Sequence, residues 1–471
     1  MTQTVASSQA IARWIQLTAM LIASAAIALH SPGQVSMDTS MELYEAHLGS
    51  SVSWNPPFMS ALMRWLGGGE LATAGLVLIN SVATYLSLAS ITESVSRGRH
   101  AEGEPSLPWW RMGLCLCLIA NPVVFLYVGI VWKDVLFGSS MITGVALALA
   151  SASQEGRRSW GYAVAAMLAL AATVKIRQQG IFMGPVLAVL PLVAVIHGRG
   201  LTRSKRWQAG MMLVVVFISG VVGFGATVSR TIAESGDRSS AVGFRVLMNY
   251  DIAGIVCRSS SSVAVLPIQI TQAERDALCS VYASTRVDYL SSNATAAHWL
   301  DSMANDDRIR NWWHLVHAEP RAYLVHRFAL FANILDLVGI AQALPIHIGV
   351  DGNATYLKQV GMAEQRGSRA MLVYRIASSF FGWPIYRHWF YLMALAVGAW
   401  VMYVVRLPRR MKAMGGVIEL ASGLFYLSYL PTGISSDFRY LYGNVLLVTA
   451  LWLIISAGAF SRRSIVPIAK G

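Results

Sequence analysis

Charged residues are scarce in this chain. Asp, Glu, Lys and Arg make up 13% of its 471 residues, whereas they make up roughly 25% of an average soluble domain. Hydrophobic residues make up 55%, and the mean hydropathy is +0.51. Because the apolar residues gather in long runs, this composition excludes an ordinary soluble domain and predicts an all-α polytopic membrane protein.

Acidic residues and metal-binding patterns are also few. The chain holds 24 Asp and Glu against 37 Lys and Arg, for a net charge of +13, but it has no zinc-finger spacing, no RNA-binding signature and no low-complexity basic tail. We therefore interpret the basic excess as cytoplasmic loops rather than a nucleic-acid surface. No strict DxD motif is present, and His314 and His317 lack a nearby Cys or clear carboxylate partner. Neither a metal nor another cofactor is predicted.

Cysteine is rare, with four residues in the chain. Cys115 and Cys117 fall inside an apolar run and are predicted to be inert packing residues. Cys257 and Cys279 fall in one long polar segment, where an oxidising compartment would allow them to form a disulfide. The pairing stays open at this point, because a sequence does not report the distance between two cysteines.

About ten apolar runs approach the length of roughly 20 residues that a spanning helix needs. With the N terminus in the cytoplasm, Lys and Arg collect in the cytoplasmic loops and both termini are cytoplasmic, as the positive-inside rule requires. The first run could instead be a cleaved signal peptide, but the polar residues just after it favour an uncleaved helix. The runs centre on 12–30, 70–90, 111–128, 135–152, 159–175, 180–197, 208–228, 386–405, 415–432 and 441–459.

This topology predicts three regions in a bacterial inner-membrane protein. The apolar run 328–343 is short and carries Asp336, so we interpret it as an interfacial helix rather than a span. It belongs to a small, mostly helical external domain. The regions are an N-terminal transmembrane catalytic module over 1–229 with an external loop over 30–69, the external domain over 230–385, and C-terminal transmembrane helices over 386–471.

Unusual polar residues fall on the predicted outer face. Each could be a solvated helix flank or an interfacial aromatic anchor, but four separate loops deliver acids, bases or amides to one membrane boundary. Lys175 even lies inside an apolar run, where a charge is costly and usually paired or functional. The combination favours a site. The residues are Asp38, Glu42, Glu45 and Asn55 after the first helix, Trp132, Lys133 and Asp134 after the third, Lys175, Arg177, Gln178 and Gln179 after the fifth, and Asp437, Arg439 and Tyr440 before the last.

Carboxylates beside cations at the outer surface suit the transfer of a sugar from a lipid phosphate. A carboxylate can take the proton of an attacking hydroxyl, and Lys or Arg can bind the anionic phosphate that leaves. The motifs PG (32–33), WNPP (54–57), WKD (132–134), KIRQQG (175–180) and DFRY (437–440) stand in an order that resembles the GT-C superfamily. These are integral-membrane glycosyltransferases that use polyprenyl-phosphate sugars, such as protein O-mannosyltransferases and lipid A aminoarabinose transferases.

The resemblance covers most of the chain through short motifs, and it implies a catalytic Asp soon after the first helix. Asp38 stands at that position and is predicted to be the general base, with Glu42 four residues on as a second carboxylate. Asn55 stands where the family has His, which argues against a proton role there. The donor phosphate is assigned to Lys133, Lys175, Arg177 and Arg439, and other substrate contacts to Asn55, Trp132, Asp134, Gln178, Gln179 and Tyr440.

The predicted function is transfer of a sugar from a polyprenyl-phosphate donor to a cell-envelope glycan or lipid acceptor on the periplasmic face. Two alternatives stay open. A transporter or flippase of a lipid-linked sugar would need polar residues near the bilayer midplane and broken helices. A polysaccharide polymerase or ligase would share the topology and the class of donor.

Overall fold

The computed structural model describes residues 2–101, 104, 106–196, 202–234, 240–339 and 345–460. Within these ranges the regular structure is helical, and pairing of extended segments is limited to isolated bridges. Four basic residues assigned to the cytoplasm, and part of the run 328–343, lie outside the described residues. The four are Arg199, Arg462, Arg463 and Lys470.

The helices follow one another with short connections along the whole chain. In the first half they are α1 (Thr2–His30), α2 (Met37–Leu48), α3 (Phe58–Trp65), α4 (Gly69–Ala101), α5 (Trp109–Ile119), α6 (Pro122–Tyr127), α7 (Lys133–Ser153), α8 (Gly156–Ile176), α9 (Gly180–Leu187), α10 (Val189–Ile196) and α11 (Arg203–Thr231). In the second half they are α12 (Ser240–Arg258), α13 (Gln272–Val281), α14 (Ala294–Ser302), α15 (Asn305–Ala318), α16 (Pro320–Ile334), α17 (Ala354–Gln359), α18 (Ser368–Ser378), α19 (His388–Val404), α20 (Arg409–Thr432) and α21 (Tyr442–Gly458). Short 3-10 turns cover Val287–Ser292, Pro384–Tyr386 and Phe438–Leu441.

Eight of the described helices are long and apolar enough to cross a membrane, and two shorter apolar helices, Gly180–Ile196 and His388–Val404, complete the set. Each of the ten predicted runs coincides with one of these helices. The predicted all-α polytopic fold is therefore confirmed. It follows from local physics, because a helix satisfies its own backbone hydrogen bonds where no water is present.

The centre of the bundle is formed by α7 and α21. Of their most apolar windows, 83% and 94% are buried inside the protein, against 11% for α11, which therefore lies at the periphery. Close packing at the centre depends on small residues. A Cβ at Gly138 would lie 3.0 Å from Leu446 and 3.1 Å from the ring of Tyr442.

Two of the predicted spans are interrupted helices. The sixth run is divided at Ala188 into α9 and α10, and it carries Pro185, whose missing N–H weakens the helix. The third run is divided before Pro122, where the Asn121 side chain caps the new helix by accepting from the Val123 N–H at 2.9 Å. The break before Pro122 is separated by the short helix α6 from Lys133, the first residue of α7.

Between α11 and α19 the described residues form helices α12 to α18, but the helix predicted over 328–343 has different bounds. It is α16, which begins at Pro320 and ends at Ile334. Proline is favoured in the first helical turn, and the chain turns back at Asp336, which has a left-handed φ of 62°. The apolar pattern alone did not reveal either boundary.

Candidate functional site

The strand-like segment after α1 runs beside the segment before α7. Gln34 donates its N–H to the Gly129 carbonyl at 3.0 Å, and Val131 donates to the Gln34 carbonyl at 2.9 Å. This approach requires Gly33, which has a φ of 122°, because a Cβ there would lie 2.6 Å from Val131. The pairing brings the start of α2 against the start of α7.

Side chains secure this contact. The Trp132 indole N–H donates to the Ser36 hydroxyl at 2.7 Å, and the Thr39 hydroxyl donates to the Val131 carbonyl at 2.5 Å. Asp38 follows in the first turn of α2, where the helix dipole favours a negative charge. Lys133 begins α7. The charges of these two residues therefore act on each other although nearly a hundred residues separate them.

Three acid–base pairs collect at this end of the bundle. Arg439 Nη1 lies 2.7 Å from Asp38 Oδ2. Lys133 Nζ lies 3.8 Å from Glu42 Oε1. Arg177 pairs with Asp134 through its Nη1 atom. The three cations come from separate parts of the chain.

Aromatic rings frame two of the cations. The Arg439 guanidinium lies 4.8 Å from the Trp132 ring centroid and 5.3 Å from that of Tyr440. Arg177 lies 5.1 Å from the Tyr440 centroid and 5.8 Å from that of Tyr429. Arg177 also donates from Nε to the Gln179 amide oxygen at 2.8 Å. Tyr440 thus stands between the two guanidinium groups.

The two carboxylates of α2 have opposite electrostatic environments. Burial alone would raise the pKa of Asp38, but the charges of Arg439, Lys133 and Arg177 outweigh it and hold this pKa well below its ordinary value. Burial raises the pKa of Glu42 to about 8, with Asp38 and Glu45 adding to the rise and Lys133 opposing it. The Asp38 side chain is 34% exposed and that of Glu42 is 1% exposed. Asp38 is therefore an accessible anion, and Glu42 is an enclosed acid whose burial favours the protonated form.

Glu45 has a different environment from Asp38. It is fully buried, and its carboxylate accepts from the N–H groups of Val52 and Ser53 and from the hydroxyls of Ser53 and Ser60, at 2.6 to 2.8 Å. These bonds hold the WNPP turn against α2. Because its carboxylate oxygens already accept these hydrogen bonds, Glu45 is a structural anchor rather than a proton acceptor.

Three candidates make no hydrogen bond or ion pair with Asp38 or its three cations among the described residues. Lys175 lies at the end of α8 beside α11, and a Cβ at Gly225 would lie 3.1 Å from its Nζ atom. Asn55 is buried in the WNPP turn, where its N–H donates to the Ser53 hydroxyl at 3.3 Å. Gln178 is half-buried between α8 and α9, and its carbonyl accepts from the Ile181 N–H at 3.2 Å. Their assigned roles stay predictions.

Other residues join the cluster without having been assigned a role. Asp437 Oδ2 lies 3.2 Å from Arg439 Nε, and Asp437 Oδ1 lies 2.6 Å from Arg286 Nη2. Tyr429 accompanies Arg177. Asp437 belongs to the DFRY motif and was placed among the polar residues of the predicted outer face without a role of its own. Nothing near Arg286 in the sequence points to the site.

The segment predicted to be an external domain carries one disulfide among the described cysteines, between Cys257 and Cys279, whose Cα atoms are 5.3 Å apart. It joins the end of α12 to the end of α13. No group of three His, Cys, Asp or Glu side chains in the described ranges could hold a metal ion.

Fold and site together define a polytopic all-α membrane protein with a cluster of acids and cations at one end of its bundle. No protein-family model and no curated protein matches the chain. Among solved structures, the chain is similar to the crystal structure of ArnT from Cupriavidus metallidurans in the apo state, at 14% identity and a TM-score of 0.32, over 94% of this chain and 77% of that chain. The structure of ArnT bound to undecaprenyl phosphate gives 15% identity and a TM-score of 0.33 over the same shares of the two chains. Similarity at this level does not define a function, which has to be argued from the site.

Proposed function

We propose that the protein is a membrane glycosyltransferase that moves a sugar from a polyprenyl-phosphate donor to a cell-envelope glycan or lipid acceptor. The observation that carries the proposal is the convergence of Arg439, Lys133 and Arg177 on the partly exposed carboxylate of Asp38. Cations of this kind suit a phosphate anion. The carboxylate suits the proton of an acceptor hydroxyl.

The proposed reaction uses one base and one anionic leaving group. The acceptor oxygen forms a bond to the anomeric carbon of the sugar, and the bond from that carbon to the phosphate oxygen breaks. The electron pair stays on the lipid phosphate, next to Arg439 and Lys133, while the acceptor proton goes to Asp38. Preorganised cations stabilise the charge that builds on the phosphate.

The ion pair between Asp38 and Arg439 explains how a weakly basic carboxylate can act. At 2.7 Å the guanidinium holds Asp38 ionised and lowers its pKa. A donor phosphate that binds Arg439 neutralises this positive charge and raises the proton affinity of Asp38. Donor binding would therefore activate the base, and an empty site would keep it inert.

The lipid tail needs an apolar surface beside the phosphate. Next to Arg177, the first turn of α9 exposes Ile181 and Phe182, each at 61%. Such adjacent apolar side chains at a membrane boundary suit an isoprenoid chain better than water. We assign the tail to this side of the bundle, where Lys175 also lies.

The experiment uses full-length protein in lipid vesicles with radiolabelled undecaprenyl phosphate as the binding probe and radiolabelled polyprenyl-phosphate sugars as donors. Wild-type protein should bind the probe and transfer at least one sugar to envelope lipid or glycan, and Arg439→Gln should lose both activities. Arg366→Gln is the matched control, since Arg366 is 63% exposed in a weak pair with Asp351. Wild-type protein that neither binds the probe nor transfers any sugar would contradict the proposal.

A transporter of a lipid-linked sugar is the second candidate, and two observations favour it. The sixth span is broken at Ala188, and buried polar side chains lie inside the bundle, including Asn80 and Tyr85 of α4 and Asn444 of α21. Transporters place such features at their binding sites. In the same vesicles, movement of the labelled donor across the bilayer without any product would favour this candidate.

A further inference from the structure

The external domain is joined to the candidate site through a short backbone pairing. Val287 donates its N–H to the Ile434 carbonyl at 3.0 Å, and Ser436 donates to the Thr285 carbonyl at 2.9 Å, as an antiparallel bridge. The Ser436 hydroxyl also donates to the Thr285 carbonyl at 3.2 Å. This pairing sets the residues around Arg286 directly beside the loop that precedes Arg439.

A chain of charges crosses this junction. Arg286 Nη2 lies 2.6 Å from Asp437 Oδ1, Asp437 Oδ2 lies 3.2 Å from Arg439 Nε, and Arg439 Nη1 lies 2.7 Å from Asp38. The Asp437 side chain is 6% exposed, so this carboxylate is compensated by two cations rather than by water. Each member therefore orients the next.

This series of ion pairs determines which N–H groups of Arg439 can reach a substrate. A guanidinium has five N–H donors in a fixed plane. Asp437 accepts from the N–H on Nε, and Asp38 accepts from an N–H on Nη1. The rings of Trp132 and Tyr440 flank the guanidinium. The orientation of the remaining donors then depends on Asp437.

We infer that Asp437 and Arg286 are positioning residues, through which the external domain sets the orientation of Arg439 for the phosphate of the lipid-linked substrate. The inference rests on the proposed function, because it requires that Arg439 binds this phosphate. It gives the external domain a part in donor binding.

A second link supports a rigid junction. Arg327 of α16 donates to the Gly433 carbonyl at 2.7 Å, and Asp251 of α12 holds Arg327 at 2.6 Å. Arg327 and Asp251 are both buried. The loop between α20 and Arg439 is therefore attached to α16 through Arg327, which α12 holds in turn, and this limits the freedom of the loop before Asp437.

The test is a double-mutant cycle on full-length protein in vesicles, with labelled undecaprenyl phosphate as the probe. Arg286→Gln should weaken binding of the probe about tenfold in the wild-type background, and less than about twofold when Arg439 is already Lys, because lysine still attracts the phosphate but has no guanidinium plane for Asp437 to orient. Arg286→Lys should restore part of the affinity, and Asp437→Asn should behave like Arg286→Gln. Arg310→Gln is the matched control in the same domain, since Arg310 is 62% exposed in its pair with Asp307.

The outcomes separate the inference from the proposed function. If Arg439→Gln loses the probe while Arg286→Gln and Asp437→Asn bind it as wild type does, the inference is wrong and the proposed function stands. If Arg286→Gln weakens binding equally in both backgrounds, its effect does not pass through Arg439 and the inference is wrong. If wild-type protein does not bind the probe at all, the proposed function itself fails. The unfolding midpoint of each variant, measured in parallel, identifies any loss of affinity that comes from loss of fold.

Discussion

The guanidinium of Arg439 lies 2.7 Å from the carboxylate of Asp38 and 4.8 Å from the ring centroid of Trp132. One cation therefore joins the second helix, the start of α7 and the last span. The contact keeps Asp38 ionised but also occupies the group that a substrate phosphate would bind. Competition between a carboxylate and a phosphate for one guanidinium is the physical basis of the predictions on activity.

Asp38→Asn should separate chemistry from binding. We expect transfer to fall by roughly 10²–10⁴, the usual contribution of a positioned general base. Binding of labelled polyprenyl phosphate should stay or become tighter, because Arg439 loses its competing carboxylate. Asp351→Asn serves as the control, since Asp351 is 50% exposed on the loop beside α2. Equal rates of transfer for Asp38→Asn and wild type would remove Asp38 from the mechanism.

Arg177→Met should destabilise the protein through its partner. Asp134 is 1% exposed and Arg177 is 5% exposed, so removing the cation leaves a buried charge, which costs about 3–5 kcal/mol. Adding Asp134→Asn to Arg177→Met should recover part of this loss. Unfolding midpoints in one detergent provide the measurement, with Arg310→Met in an exposed pair as the control. A double variant less stable than Arg177→Met alone would argue against the pair.

Glu42→Gln should change how stability depends on pH. The pKa of Glu42 is raised from 4.5 to about 8 by burial, with Asp38 and Glu45 adding to the rise and Lys133 and Arg439 opposing it. Between these two values the folded protein binds a proton that the unfolded chain has released, so the contribution of Glu42 to stability falls as pH rises. A glutamine does not titrate, so the variant does not lose stability in this way. Its stability relative to wild type should therefore increase as the pH rises from the lower of these two pKa values to the higher. Thermal unfolding at several pH values tests this, with exposed Glu364→Gln as the control. Parallel curves for Glu42→Gln and wild type would contradict the prediction.

Replacing Cys257 and Cys279 by Ser should lower the free energy of unfolding by about 3 kcal/mol, the effect expected for closing a loop of moderate length. The two residues are 22 apart in sequence. Alkylation with and without reductant, followed by electrophoresis, would detect the bond, and Cys117→Ser is the control because Cys117 is a free cysteine. Labelling of Cys257 without reductant would show that the disulfide does not form in the cell.

The spans were predictable because each depends on local sequence. A run such as Lys133–Ser153 is apolar over 21 residues, and the bilayer demands that length whatever the neighbouring helices do. Helix α16 was less predictable, since its end at Ile334 depends on the left-handed turn at Asp336. Apolar periodicity carries no information about such a turn.

Individual site residues were predictable only in part. Asp38 and Glu45 lie on the same short helix and look alike in sequence, yet Glu45 accepts four hydrogen bonds from residues on either side of the WNPP turn and Asp38 faces Arg439. Lys133, Arg177 and Lys175 were equal candidates, and the first two face Asp38 electrostatically while Lys175 lies beside Gly225. Whether such a side chain faces Asp38 depends on its direction from the helix and on the path of the loops, neither of which is visible in the sequence.

The sequence by itself determined the positions of the apolar spans and the placement of polar groups at their ends, because these properties depend on neighbouring residues and on the solvent alone. Tertiary structure decided that Arg286 reaches Asp437, that Arg439 faces Asp38 and that Glu42 is enclosed. Those contacts arise from pairings between distant segments, such as Gln34 with Gly129 and Ser436 with Thr285. Electrostatic and hydrogen-bond energies fall steeply with distance, so a site exists only where the folded chain brings its parts together.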